Sequence, residues 1–231
     1  MRILLVGHGR MGRLVASLAG EYGCEVAGII DRRSASDARG RLPDDWPQAD
    51  VAIDFSSAGA VAVNVPALAR RGVNLVVGTT GWEKDEPAIR AAVADAGIGI
   101  VSAPNFSTGV VLFDSIVAYA ARLVAAQADF GAWLHEAHHA AKRDAPSGTA
   151  LMLERTMEQA GFTRQIDVSS TRAGHIPGTH TVGFDAPAES IVLTHAARDR
   201  STFARGALVA ARWVKGKRGW FTMKDVLGLT P

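Results

Sequence analysis

Cysteine is all but missing from this chain. Cys24 is the only one in 231 residues, which excludes an intrachain disulfide framework and any thiolate metal cluster. It stands just before an apolar run and reads as an inert, half-buried thiol. An excess of charge of one sign is missing too, since the formal net charge is +2. The densest basic cluster, Lys215 to Trp220 (KGKRGW), is short and lacks interleaved aromatics, so it reads as a solvated loop and no nucleic-acid partner is expected. A long uninterrupted apolar run is absent as well. The longest candidate, Val110 to Val124, carries Asp114 and Arg122, so no membrane partner is expected. The opening MRILLVGHGR breaks at glycine and arginine and does not read as a secretion signal, so a cytoplasmic location is expected. Internal repeats and low-complexity tracts are also lacking, which sets aside solenoids and linker-rich chains.

What is present begins with glycine, 24 residues of it, in a chain that is 48% hydrophobic. That length allows one large domain or two modest ones. Ile3 to Val6 is a continuous apolar run of the kind buried on both faces of a parallel sheet. Gly7, Gly9 and Gly12 follow as G-x-G-x-x-G, and Met11, Leu14, Val15 and Leu18 then share a helical face. A second run, Val26 to Ile30, ends at Asp31, nineteen residues past Gly12. Strand, glycine turn, helix and distant acid together predict a dinucleotide site, with the pyrophosphate on the helix N-terminus and Asp31 on a ribose hydroxyl. Arg32 and Arg33 follow Asp31 at once. An acid suits NADH and a guanidinium suits the 2′-phosphate of NADPH, so both cofactors are expected to be tolerated. The βα rhythm continues through VAIDFS (Val51 to Ser56), VNLVVGTTG (Val73 to Gly81) and IGIVSAPNFS (Ile98 to Ser107), followed by a long helix from about Thr108 to Ala126. Each of these strands ends in small or polar residues, the kind that line ligands on the carboxyl rim of an open sheet.

After that helix the pattern turns β-like. FGAWLHEAH, Ile166 to Arg172, His180 to Phe184 and Ser190 to Ala197 read as strands of a mixed sheet, with one helix from Thr149 to about Ala160. Helix returns from about Thr202 to Val214, and TMKDVLGL suggests a short terminal helix. The expected fold is therefore α/β: a Rossmann-type doubly wound parallel sheet, residues 1–106 and 201–231, with a second α+β domain built on a mixed sheet, residues 107–200.

The densest chemistry lies between Trp133 and Ala150, WLHEAHHAAKRDAPSGTA. His135, Glu136 and His139 spell HExxH, which would mark a zinc hydrolase if the segment were helical. The strand-like Trp133 and Leu134, and Lys142 beside the would-be cation, argue against that. Read as strand, loop and helix start, the same segment puts His138 and His139 at a strand end and Lys142 in the loop. It also offers Ser147, Gly148 and Thr149 as free amides for a carboxylate.

EAHHAAKRDAPSGTA resembles the signature of the 4-hydroxy-tetrahydrodipicolinate reductase (dihydrodipicolinate reductase) family. VGHGRMG, VAIDFS, VVGTTGW, APNFSTGV, RAGHIPGTHTVGF, THAARDRSTFARGAL and FTMKDVL resemble further family segments in order. The departure is the stretch after Asp31, shorter than in many members. The resemblance implies NADH- or NADPH-dependent reduction of a cyclic imine derived from 4-hydroxy-tetrahydrodipicolinate, in the diaminopimelate route to lysine. A related cyclic imine is the alternative. It implies His138 as proton donor and acceptor, Lys142 as proton donor, and His139 with Gly148 and Thr149 as binders of a small dicarboxylate. The cofactor would be lined by Gly7, His8, Gly9, Arg10, Met11, Gly12, Asp31, Arg32, Gly78, Thr79, Thr80, Ala103, Pro104, Asn105 and Phe106. A homotetramer built through the second domain's sheet is also implied.

Overall fold

The computed structural model describes residues 1–31, 34, 41–43 and 45–230; the expectation for Arg32 lies outside them. The chain forms two compact units, one made of Met1–Thr108 with Ser201–Pro231 and the other of Gly109–Arg200.

In the first unit a six-stranded sheet runs β10-β5-β4-β3-β1-β2 with every pairing parallel. Its strands are β1 (Arg2–Val6), β2 (Glu25–Ile30), β3 (Val51–Asp54), β4 (Asn74–Val77), β5 (Gly99–Ser102) and β10 (Gly219–Phe221). Strands β3 and β4 are buried at every residue, as unbroken apolar runs between two helical layers must be. On one side α2 (Ala58–Arg70) and α3 (Glu86–Ala96) bury Val61, Val65, Leu68, Ile89 and Val93 against Leu4, Ala52, Leu75 and Ile100. Also in this unit are α1 (Arg10–Leu18), α6 (Ser201–Val214) and α7 (Met223–Val226). Helix α6 lies against α1 and against β3, β4 and β5. Gly206 makes this possible, because a Cβ there would sit 1.7 Å from the Phe106 carbonyl oxygen.

Strand β10 was not legible in the sequence. The expected solvated loop at Lys215–Trp220 instead feeds an edge strand, and its charges have partners: Lys215 Nζ lies 3.1 Å from Asp50, and Lys217 Nζ sits over the Trp213 ring.

The strand order places β2 and β3 on opposite sides of β1. The chain therefore leaves β1 in one direction and later returns in the other, and the carboxyl ends of β1 and its neighbours form a switch point. Gly7, Asp31, Phe55, Gly78 and Ala103 each follow the last residue of a strand, so all five stand on that rim.

The second unit is a mixed sheet in the order β7-β6-β8-β9, from β6 (Gly131–His138), β7 (Ile166–Arg172), β8 (Thr179–Ala186) and β9 (Glu189–Ala196). Only β6 and β7 are parallel. Helices α4 (Thr108–Ala125) and α5 (Gly148–Gln159) supply Phe113, Val117, Ala121, Leu153 and Met157 to a core shared with Leu134, Phe162, Val182 and Phe184. Each large side chain removed from water in this way contributes about 2 kcal/mol. Thr156 Oγ1 donates to Asp114 Oδ1 at 2.6 Å, which ties the two helices together. By length and composition α4 could cross a membrane, but its Phe113–Val117–Ala121–Val124 side forms a wall of this core.

Candidate active site

Along β1 the backbone turns sharply at Gly7 (φ +95°), where a Cβ would lie 2.4 Å from the Phe55 carbonyl oxygen. At Gly12 a Cβ would meet the Gly7 carbonyl oxygen at 2.0 Å, so only glycine lets α1 sit this close to its strand. Gly9 differs, because nothing lies within 4 Å of where its Cβ would be. It is the N-cap of α1 and offers no side chain to the helix end, so the amides of Arg10, Met11 and Gly12 face that open space without helical acceptors. Two tight approaches around one empty position at a helix N-terminus have the geometry that suits an anion such as a phosphate. His8 sits half-buried within the same turn.

The rest of the rim is knitted together by a residue the sequence reading passed over. Asp54, at the end of β3, is fully buried. Its Oδ1 accepts from the Ser56 amide (2.9 Å), the Ser56 hydroxyl (2.7 Å) and the Thr79 hydroxyl (2.7 Å). Burial raises its carboxyl above the ordinary range, against the pull of the Ser56 and Thr79 hydrogen bonds. Thr79 also accepts from the Ser56 amide at 2.8 Å and from Trp82 Nε1 through its carbonyl oxygen. Its polar atoms therefore join two turns, while of that trio Thr80 is exposed and Gly78 half-buried. Gly78 is required here because the Phe55 ring occupies the space of a Cβ. On the next turn Phe106 is buried, with its ring edge against Phe55, while Pro104 is exposed and Asn105 Oδ1 accepts from the Ser107 amide. At the end of β2, Asp31 Oδ1 accepts from the Ser34 amide at 3.3 Å.

In the second unit the pleat of β6 sorts the histidine-rich segment. Leu134, Glu136 and His138 point to the helix-covered face, and Trp133, His135 and Ala137 to the other. Register then sets Glu136 beside His180 of β8 and His138 beside Arg172 of β7. Glu136, completely buried, accepts from Arg172 at both oxygens (2.6 and 2.9 Å), from the Ser147 amide (3.2 Å) and from His138 Nδ1. Arg172 continues to the Asp144 carbonyl oxygen. Lys142, in the turn after His139, pairs with both carboxylate oxygens of Asp144 at 2.8 Å.

Ser147 is the N-cap of α5, and its hydroxyl accepts from the Ala150 amide at 3.1 Å. The expected trio of free amides is corrected to two: Ser147 is buried, its amide is spent on Glu136, and only the amides of Gly148 and Thr149 lack partners among the described residues. Space above Gly148 is open, with nothing within 4 Å of a built Cβ. One rim of β6 thus carries an imidazole, an ammonium group and two unpaired amides.

The electrostatics follow from burial and pairing. Burial alone would raise the Glu136 carboxyl, but hydrogen bonds from Arg172, Ser170 and His138 outweigh it and hold the value to about 2. An ionised carboxylate can only accept, so His138 Nδ1 must carry a proton, and Nε2 is the nitrogen that exchanges one. The His138 pKa is lowered, by burial first and by the charges of Lys142 and Arg172, against the pull of Glu136. His180 is more deeply buried, its ring edge against His138 and its Nε2 3.0 Å from the Ser147 hydroxyl. Burial first, then the neighbouring His138, lowers it to about 4.

The unfolded chain binds this proton near 6.5 and the folded chain only near 4. Stability from a neutral His180 is therefore complete above pH 6.5 and lost as pH falls toward 4, by about 3 kcal/mol. Urea unfolding across that window should show a shallower pH slope in His180→Gln than in the parent. Equal slopes would refute it.

The zinc-hydrolase alternative fails on geometry. His135 and Glu136 point to opposite faces of a strand, and His135 Nδ1 instead meets Ser169 at 2.9 Å. Glu136, His138 and His180 do bring ligand atoms within 4.8 Å of one another, but Arg172 already occupies both Glu136 oxygens.

Comparison with known proteins agrees with this layout. A family model described as Dihydrodipicolinate reductase, N-terminus, matches residues 1–106, and one described as Dihydrodipicolinate reductase, C-terminus, matches residues 109–227. A 4-hydroxy-tetrahydrodipicolinate reductase of Methanoregula boonei is 39% identical across 99% of this chain and 98% of its own length. One from Laribacter hongkongensis is 36% identical with the same coverage. Among solved structures, a dipicolinate-bound dihydrodipicolinate reductase from Paenisporosarcina sp. TG-14 superposes with a TM-score of 0.82 over 97% of this chain and 98% of that one. At 19% identity that likeness speaks for the fold. With both halves matched in order and relatives aligned from end to end, the chain belongs to the dihydrodipicolinate reductase family.

Proposed function

We propose that this protein reduces the cyclic imine derived from 4-hydroxy-tetrahydrodipicolinate to tetrahydrodipicolinate, using NADH or NADPH, in the diaminopimelate route to lysine. The observation that carries the reading is the β6 rim: His138, Lys142 and the free Gly148 and Thr149 amides stand together in a chain whose other unit holds a phosphate cradle. The relatives' printed name supports the same substrate.

The glycine turn from Gly7 to Gly12 would hold the pyrophosphate, with Asp31 at the adenosine ribose and the Gly78–Thr80 and Ala103–Phe106 turns nearer the nicotinamide. When bound, the reduced nicotinamide supplies a hydride. The chain's own residues do the rest. The Gly148 and Thr149 amides, at a helix N-terminus, hold one substrate carboxylate through charge-assisted hydrogen bonds. His139 assists in binding. Hydride addition to the conjugated imine leaves an electron pair delocalised toward the ring nitrogen, and a proton must reach the neighbouring carbon to complete the two-electron reduction. Lys142 Nζ and His138 Nε2 are the groups able to deliver it, and a dianionic substrate favours their charged forms.

On this reading His139→Ala raises the substrate KM several-fold with kcat little changed, and an unchanged KM would remove it from binding. A homotetramer belongs to the same reading. The sheet face turned from α4 and α5 carries Trp133 and exposed Val192, and sedimentation would count the subunits. The decisive experiment is NAD(P)H oxidation with freshly generated 4-hydroxy-tetrahydrodipicolinate, run with each cofactor. No oxidation with either one overturns the proposal.

A further inference from the structure

We propose that Glu136 is a positioning residue for proton transfer: it holds His138 in the orientation that presents Nε2 and locks that imidazole to the amide turn that takes the substrate carboxylate. The inference rests on the reading of His138 as a proton-transfer group.

Four observations carry it. Glu136 is fully buried and takes four hydrogen bonds, from two other segments and its own strand. One of these is the Ser147 amide, next to the two amides left free, so carboxylate cradle and imidazole share one anchor. Another is Arg172, which also reaches the Asp144 carbonyl oxygen and so ties in the turn carrying Lys142. The space on the Nε2 side of His138 exists because residue 178 is glycine, where a Cβ would lie 3.0 Å from that nitrogen.

A buried carboxylate held by a guanidinium could be mere scaffold, and the charges around His138 separate the two roles. Facing it are Glu136 on β6, Arg172 from β7, His180 from β8 and Lys142 from the turn. Glu136 favours the imidazolium, while Arg172 and Lys142 oppose it. Neutralising the acid and neutralising the arginine must therefore move His138 in opposite directions if the carboxylate governs it. A scaffold role predicts loss of activity from both variants with no such opposition.

The test compares the wild-type enzyme, Glu136→Gln and Arg172→Met. The pH profile of kcat/KM is read together with an NMR titration of the His138 ring in the free protein. Expected are a kcat for Glu136→Gln reduced about 10²-fold, a KM within a few-fold, and unchanged NAD(P)H affinity. The limb that requires the protonated donor, and the His138 titration with it, should shift to lower pH in Glu136→Gln and to higher pH in Arg172→Met. Unmoved titrations, or shifts of the same sign, overturn the proposal. Should Glu136→Gln fail to fold, Arg172→Met alone decides: an unmoved His138 titration overturns it. A wild-type protein that never oxidises NAD(P)H with the imine sinks the proposed function instead, and the NMR arm still reads the coupling between Glu136 and His138.

Discussion

Lys142→Ala is expected to lower kcat by about 10²–10⁴-fold while leaving NAD(P)H affinity where it was. The side chain is held by Asp144 through two 2.8 Å contacts, in a turn whose backbone is set independently by the Lys142 amide on the His139 carbonyl oxygen. Removing the ammonium group leaves an exposed Asp144 carboxylate in water, so the fold loses almost nothing. On the proposed reading, what the site loses is a charge for the dianionic substrate and a transferable proton. Lys142→Arg separates these, because a guanidinium keeps the charge but cannot release its proton. Its KM should recover toward the parental value while kcat stays low. Turnover within a few-fold of wild type in the alanine variant, measured with purified substrate, would remove Lys142 from the mechanism.

The second large effect is expected at the glycine turn, where two substitutions of one methyl group should fail differently. Gly9→Ala places its Cβ in open space with φ at −78°, a conformation alanine adopts freely, so thermal unfolding should match the parent. On the proposed reading that methyl enters the pyrophosphate's place, and NAD(P)H affinity should fall by about 100-fold, some 2.7 kcal/mol of lost binding. Gly12→Ala forces its Cβ to 2.0 Å from the Gly7 carbonyl oxygen, so it should damage stability and binding together. Fluorescence titration with NADH and NADPH, alongside melting curves, reads both. A Gly9→Ala protein that binds like wild type would show that the cradle is not where the phosphates lie.

The two halves of the molecule differed in how much their sequence disclosed. Parallel strands buried on both faces write themselves as apolar runs, and the glycine turn has a spacing with a mechanical cause, so β1 to β5 and the tight turn at Gly7, Gly9 and Gly12 were readable from Ile3 onward. The strand in FGAWLHEAH was readable too, but that Glu136 and His138 share one face and His135 takes the other came only with the structure. Arg172 and His180 were not readable, since they reach Glu136 and His138 only through the register of three strands. Asp54 was hidden for a similar reason: its partners Ser56 and Thr79 belong to turns after two different strands, and nothing local marks their meeting. Ser147 was misjudged as a free donor because its acceptor, Glu136, lies eleven residues back. Strand β10 escaped because three residues, Gly219–Phe221, are too few to show a period.

The first unit is interrupted: its sheet begins at Arg2, but α6 and the edge strand β10 come only after residues 109–200 have been made. Until Ser201–Val214 emerges, the surface of β3, β4 and β5 that α6 covers has nothing from this helix upon it, and β5 lacks its outer neighbour. The second unit, one unbroken stretch of chain, can close earlier. Completion at the ribosome thus runs against sequence order: the unit whose first strand is made earliest is the last to be finished.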